Sequence, residues 1–156
     1  MSRVKTGIPG FDDLVSGGLP RSITSILLGP TGSGKTIFGL QFLYKGAQDF
    51  DEPGVLVTVE SRPKEIRKIA TSFGWDLSSL ESAGQLVIVD AASNRAGLPT
   101  SEKHALRRGF DLATLAEEIY YVVQEIGAKR LTICLLYTSD AADEGLGVDL
   151  GGRRII

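Results

Sequence analysis

Apolar residues along this chain fall into two patterns, short continuous runs and longer stretches with helical spacing. Ile23, Ile26, Leu27 and Leu28, within residues 22–28, predict a buried parallel strand. Val55-Leu56-Val57-Thr58-Val59 and Leu86-Val87-Ile88-Val89 predict two more, and Leu131-Thr132-Ile133 begins a fourth. Between them lie helices. Residues 37–48 carry Ile37, Phe38, Leu40, Phe42, Leu43, Tyr44 and Ala47, apolar on more than one face, so this helix should be largely covered. Ser61 can cap the next helix with Pro63 in its first turn, and Ile66, Ile69, Ala70 and Phe73 form one stripe of it before Gly74. Asp111 caps a third long helix with Leu112, Leu115, Ile119, Val122 and Ile126 inward, and Gly127 ends it. Near the start, residues 6–14 read as a turn entering a short helix that Gly17-Gly18-Leu19-Pro20 closes. Residues 91–110 are polar and irregular, which predicts a surface loop. Alternation of strand and helix gives an α/β fold with a mainly parallel sheet and helices on both faces.

One loop in this framework carries a chemical signature. Gly29-Pro30-Thr31-Gly32-Ser33-Gly34-Lys35-Thr36 fits G-x-x-x-x-G-K-[ST] in full, between a predicted strand and a predicted helix. Gly32 and Gly34 permit backbone angles and a close approach that a Cβ would block. Successive N–H groups can then point at phosphate oxygens, aided by the positive end of the following helix. Lys35 would reach the β- and γ-phosphates of ATP, and the Thr36 hydroxyl would take a Mg²⁺ coordination position. The bland alternative is a glycine-rich turn that only resembles this motif. Hydrolysis also needs a group that orients or deprotonates water. Glu60 ends the strand after the loop's helix, and ligands in open α/β sheets lie beyond the carboxyl ends of strands. Glu60 is therefore the catalytic candidate beside Lys35, against the alternative of a solvated carboxylate at a strand end. Asp90 has the same placement and is expected to be structural.

Composition narrows the classes without adding a site. Hydrophobic residues are 42% and charged residues 23% of the 156, enough for one domain with a core. Seventeen basic against nineteen acidic residues leave a net charge of −2, which makes no case for nucleic acid as an obligatory partner. One cysteine and one histidine exclude a disulfide framework or a Cys/His zinc cluster. No apolar run reaches the roughly 18–20 residues of a membrane span. The first residues lack the apolar core of a signal peptide, so a cytoplasmic protein is expected. His104 reads as a solvated surface residue and Trp75 as a core anchor. Arg107 and Arg108 are too few for a nucleic-acid patch. Tyr120-Tyr121 lies on a helix with one ring expected inward.

Several strings together resemble the KaiC family of RecA-like ATPases. They are Thr6-Gly7-Ile8-Pro9-Gly10-Phe11-Asp12, Gly17-Gly18-Leu19-Pro20, the P-loop, Gln41-Phe42-Leu43-Tyr44 and Glu52-Pro53-Gly54-Val55. Ser72-Phe73-Gly74-Trp75-Asp76-Leu77, Gly109-Phe110-Asp111-Leu112 and Arg130-Leu131-Thr132-Ile133 extend the likeness over residues 6–133. The P-loop is common to many families, whereas the Ser-Phe-Gly-Trp-Asp-Leu and Gly-Phe-Asp-Leu strings are narrower. The pattern is closer to the N-terminal of KaiC's two tandem ATPase domains than to RadA or DnaB. This resemblance implies a RecA-like P-loop fold, ATP and Mg²⁺ binding, slow ATP hydrolysis and a hexameric ring with nucleotide between subunits. It also brings in a serine/threonine autokinase, clock-type or signalling partners, a RadA-like DNA-repair ATPase and a nucleotide-gated scaffold as readings of the intact parent. The family commonly has two adjacent glutamates after the second strand, and here the pair is Glu60-Ser61.

The same resemblance implies an aspartate, the Walker B residue, after Ile133, where this chain has Cys134. Residues 134–156 are instead identified as a translated sequencing adapter. The codons tgt ctc tta tac aca tct gac gct gcc gac yield Cys134 through Asp143, and gta gat ctc ggt ggt cgc cgt atc att yield Val148 through Ile156 in the same frame. Residues 1–133 are then the front part of an ATPase domain and 134–156 a non-native tail. The sheet is expected to be incomplete, with an unpaired gap and negligible ATPase activity in this polypeptide. Genomic reads crossing codon 134 are expected to depart from the adapter sequence at that codon, and independent libraries that continue through the join would refute the assignment.

Overall fold

The computed structural model describes residues 1–107, 109 and 111–135. Most of the predicted tail, together with Arg108 and Phe110, lies outside the described residues. Eleven elements follow in order: β1 (Arg3–Val4), α1 (Phe11–Leu14), β2 (Leu19–Pro20), α2 (Lys35–Phe50), β3 (Gly54–Thr58), α3 (Pro63–Ser72), α4 (Leu77–Ser82), β4 (Leu86–Asp90), α5 (Ala92–Arg95), α6 (Leu112–Ile126) and β5 (Arg130–Cys134). β1 and β2 form a small antiparallel pair. The main sheet is parallel, in the order β4-β3-β5, with Thr58 level with both Asp90 and Cys134.

Alternation along β3 explains why helices cover both faces. Leu56 packs with Ile88, Leu86 and the apolar sides of α2, α3 and α4, including Leu40, Leu43, Ile66, Ala70, Leu77 and Leu80. Val55 and Val57 point the other way, to Val89, Ile133 and Leu115, Ile119 and Val122 of α6. Each such aliphatic side chain contributes about 1.5–3 kcal/mol on burial. Thr132 faces α2, where Gly39 leaves room for its methyl; a Cβ there would stand 2.6 Å from Thr132 Cγ2.

The first predicted strand is not present. Residues 22–28 have no strand pairing, and Ile23, Ile26 and Leu28 are 57%, 51% and 72% exposed. An apolar run becomes a strand only where a neighbour supplies ladder partners, and none of the described residues does so here. Other expectations shift for local reasons. Arg62 rather than Ser61 precedes the first turn of α3, with its N–H donating to Glu65 Oε2 at 3.2 Å. Phe73 closes the α3 stripe at the surface, stacked on Trp75, which also stacks on Tyr44. Leu112, the first residue of α6, is 44% exposed. Tyr120 and Tyr121 both point outward, because the apolar stripe of α6 runs through Leu115, Ile119 and Val122 and leaves these rings beside it. α4 had no counterpart in the sequence pattern; Asp76 caps it, accepting from the Ser79 N–H and hydroxyl.

The stretch expected as a polar surface loop is partly interior. Ala91, Ala92, Ser93 and Leu106 are buried, and Ala105 bridges to Asp90. Buried Asp90 organises it, accepting from the Ser93 N–H at 2.9 Å, the Ser93 hydroxyl at 2.7 Å and the Thr100 hydroxyl at 2.7 Å. Burial pushes the Asp90 carboxyl up, but these donors outweigh it and hold it below its ordinary value. Arg67 fastens the far end with paired hydrogen bonds to both Glu81 and Glu102, at 2.7 to 3.0 Å. His104 is not solvated either. It is 13% exposed, with Glu118 and Glu125 of α6 each 3.8 Å away.

A buried arginine joins the amino end of the sheet to the rest. Arg130 donates to Glu52 Oε2 at 2.7 Å, to the Phe42 carbonyl at 2.9 Å and to the Lys5 carbonyl at 2.8 Å, with its side chain 1% exposed. Phe42 and Phe50 flank the guanidinium at 4.6 and 5.3 Å. Gly46 clears the way, since a Cβ there would come 2.5 Å from Arg130 Nε. Glu52 also accepts from Arg21 at 3.1 Å. Burial raises the Glu52 carboxyl, and the hydrogen bonds from Arg130 and Arg21 more than reverse this, so it sits below its ordinary value of 4.5. No helix among the described residues is long and apolar enough to cross a membrane.

Removing Arg130 strands the Phe42 and Lys5 carbonyls and strips the half-buried Glu52 carboxylate of its closest cation. Arg130→Ala is expected to lower the free energy of unfolding by about 3 kcal/mol in a urea titration. A depressed carboxyl stabilises the fold fully above its unfolded value and loses that contribution as pH falls through the native one. The deficit of Glu52→Gln relative to the unsubstituted protein should therefore be constant near neutrality and shrink below pH 4.5.

Candidate functional site

The loop of residues 29–36 enters α2 through two left-handed residues. Gly32 has φ 81° and Gly34, which precedes the helix, has φ 91°. Side-chain-bearing residues rarely adopt these angles, so the glycines at both positions are required by the backbone path. The Ser33 N–H donates to the Pro30 carbonyl at 3.2 Å and the Phe38 N–H to the Gly34 carbonyl at 2.9 Å, closing the turn and starting the helix. Gly29 lies against Ser33, whose Oγ would be 2.6 Å from a Cβ on it. Pro30, Thr31, Gly32 and Ser33 are exposed, while Gly34, Lys35 and Thr36 are half-buried. The Lys35 ammonium folds over the loop, donating to the Gly29 carbonyl at 2.6 Å and the Pro30 carbonyl at 2.8 Å.

Helix direction fixes where this loop sits on the sheet. Gly39 is opposite Thr132, and Gly46 is opposite Arg130. α2 thus runs antiparallel to β5, and its first residue lies about 6 Å beyond Gly39 toward the carboxyl ends of the strands. Thr58, Asp90 and Cys134 are the last strand residues on that edge. Glu60 follows two residues after β3 on the same edge, where its Oε1 accepts from Arg95 Nη1 at 3.2 Å. The Thr58 hydroxyl donates to the Ser61 carbonyl and fixes the turn between them. Lys35, Thr36 and Glu60 therefore share one edge of the sheet, as does Asp90, whose oxygens are occupied by Ser93 and Thr100.

The donor set fits a polyphosphate. A glycine-lined turn with two left-handed residues, the N-terminus of the 16-residue α2 and one ammonium converge there. For a divalent cation, the described residues offer the Thr36 hydroxyl and no cluster of three or more acidic, histidine or cysteine side chains. That suits Mg²⁺, which keeps several waters and takes the remaining oxygens from phosphates. Cys134 ends β5 where the family resemblance implied an aspartate. Burial pushes its thiol up to about 12, so it is a neutral group at that edge.

Sequence reasoning missed Arg95, which stands 35 residues from Glu60 and has no periodic relation to it. It also missed Arg130, because an arginine opening a strand carries no pattern that marks it as buried.

Comparison with known proteins agrees with this architecture. The profile of the family described as "ATPase: KaiC" matches residues 4–143. The circadian clock oscillator protein KaiC of Synechococcus elongatus is 45% identical over 133 residues, 85% of this chain and 24% of that protein. UPF0273 protein MJ1359 of Methanocaldococcus jannaschii is 42% identical over 134 residues, 85% of this chain and 55% of that protein. The crystal structure of the KaiC-like protein PH0186 from Pyrococcus horikoshii superposes with a TM-score of 0.72 at 47% identity, covering 85% of this chain and 54% of that one. The chain thus spans about a quarter of the clock protein and about half of the two archaeal proteins. With its P-loop, its parallel sheet and these likenesses taken together, the chain belongs to the KaiC family of ATPases.

Proposed function

We propose that residues 29–36 bind ATP for hydrolysis in a RecA-type domain of which this chain is the front part. The observation that carries this is the loop itself: glycines at φ 81° and 91° lead into a long helix whose first residues are Lys35 and Thr36. The N–H groups of Gly32, Ser33 and Gly34 gather phosphate oxygens, Lys35 exchanges the loop carbonyls for the β- and γ-phosphates, and Thr36 takes one position on Mg²⁺. When bound, Mg²⁺ neutralises charge developing on those oxygens. Glu60 orients the attacking water from the strand-end side. As a RecA-type domain, the intact parent is a ring-forming homo-hexamer with nucleotide between subunits, acting in the cytoplasm in signalling or circadian-type regulation. The net charge of −2 gives no support to a DNA-dependent motor of the RadA type.

The single reading frame of the adapter codons supports residues 134–156 as non-native. The exposed apolar run of residues 22–28 supports a sheet whose remaining strands are supplied by further chain. We therefore place turnover in the full-length gene product and expect none from residues 1–156 alone. The absence of a second glutamate beside Glu60 favours one further reading, a nucleotide-gated scaffold with little turnover.

In the full-length gene product, Lys35→Ala is expected to weaken MgATP binding by at least about tenfold in isothermal titration, the loss of one charge-assisted contact set. Retention of MgATP by that variant at unchanged affinity would contradict the site. Glu60→Gln should spare binding and lower turnover by about 10²-fold. Turnover equal to that of the unsubstituted protein would leave the scaffold as the better account.

A further inference from the structure

We infer that Arg95 is a positioning residue for ATP hydrolysis, holding the Glu60 carboxylate in the orientation from which it directs water. The inference rests on the assignment of Glu60 as the water-orienting group. Its starting point is the ion pair between Arg95 Nη1 and Glu60 Oε1, 3.2 Å long. Glu60 belongs to the turn after β3, whereas Arg95 ends α5, which follows β4, so the contact joins two separate segments on the carboxyl edge of the sheet. Among the described residues only Oε1 of Glu60 has a hydrogen-bond donor, which leaves Oε2 free to accept from water.

What gives the pair its orienting power is the anchoring of the arginine's own segment. Buried Asp90 holds the start of α5 through Ser93 and reaches across to Thr100. Arg67 grips Glu102 while also grasping Glu81, and the Glu102 N–H donates to the Thr100 hydroxyl at 3.2 Å. Arg107 returns a hydrogen bond to the Glu102 carbonyl at 2.6 Å. These contacts involve three buried or half-buried carboxylates, Asp90, Glu81 and Glu102, and fix the loop without any help from Arg95. The ion pair is therefore superfluous for holding the loop, and at 51% and 29% exposure it adds little to stability. Its consequence falls on Glu60, an exposed residue of the turn after β3 whose side chain has no other hydrogen-bond donor among the described residues. A second glutamate would compete for the guanidinium. Ser61 occupies that position here, and among the described residues Arg95 pairs with Glu60 alone.

Steady-state ATPase and nucleotide affinity of the full-length gene product test this, using Arg95→Ala, Arg95→Lys, Glu60→Gln and the Arg95→Ala/Glu60→Gln pair. An exposed ion pair of this kind corresponds to about a two- to five-fold effect. Arg95→Ala should lower kcat by that factor with KM and the Kd for MgATP unchanged, and Arg95→Lys should recover most of the loss. In the Glu60→Gln background, Arg95→Ala should cause no further change, and the urea midpoint should stay where it is. An unchanged or increased kcat in Arg95→Ala would overturn the inference, as would an equal loss in the Glu60→Gln background. If Glu60→Gln itself turns over normally, the assignment of Glu60 fails and the role of Arg95 fails with it; a slow Glu60→Gln beside a normal Arg95→Ala rejects the arginine alone.

Discussion

A guanidinium can stay inside a protein only where acceptors meet its N–H groups and a counter-charge lies nearby. Arg130 meets this condition by drawing together three segments: Lys5 before α1, Phe42 in the middle of α2 and Glu52 in the turn before β3. The room for it exists because residue 46 has no side chain. The contact reaches the edge that carries the candidate site indirectly. Phe42 and Gly46 belong to α2, so the grip of Arg130 on that helix sets its height against β5, while Gly39 against Thr132 sets its distance. With height and distance fixed, the other end of the helix has little freedom, and that end carries Lys35, Thr36 and the glycine-rich turn proposed to bind phosphate. An apolar side chain in place of Arg130 could fill the space but would not choose among helix positions, since dispersion contacts lack the direction of a hydrogen bond.

The sequence made legible whatever is governed by local rules. β3 and β4 declare themselves through dense β-branched residues, and α2, α3 and α6 through apolar spacing and end signals such as Asp111 and Gly127. Residues 22–28 show the limit of this. Their apolar run has the composition of an interior strand, but pairing depends on a neighbour elsewhere in the chain, and composition says nothing about whether it is there. The stretch after Asp90 shows the converse. Its buried residues are small, Ala91, Ala92 and Ser93, and it is held inward by a carboxylate, so low apolar density masked an interior segment. Arg130 escaped notice for the same reason, being a charged residue whose burial depends on partners up to 125 positions away.

The same division runs through the site. A P-loop is readable because its demands fall within eight neighbouring residues: left-handed angles at two glycines, a helix start and a lysine at a fixed offset. Glu60 was proposed from position alone, and it lies two residues beyond the end of β3. Its surroundings were not readable, because Arg95 approaches from the segment after another strand. Such contacts depend on how two loops are anchored, and the anchors here are Asp90 and Arg67, neither of which sits in a pattern that advertises the role.

The two carboxylates at the carboxyl edge of the sheet, Asp90 ending β4 and Glu60 two residues past β3, show how surroundings separate residues of similar placement. Asp90 is buried, and both its oxygens accept from Ser93 or Thr100. Those donors hold its charge in place and leave it little capacity to engage water, so its effect is confined to the shape of the loop it caps. Glu60 has one oxygen engaged by a cation and the other unengaged among the described residues. A carboxylate needs a free lone pair to direct a water molecule, and it needs a fixed torsion for that direction to matter. Asp90 has the rigidity, but it is buried with three donors already on its oxygens. Glu60 has the lone pair, and the proposed role of Arg95 is to supply the rigidity from a loop that Asp90 itself holds still. The buried carboxylate would then act on the chemistry at one remove, through Ser93, α5 and the arginine at its end.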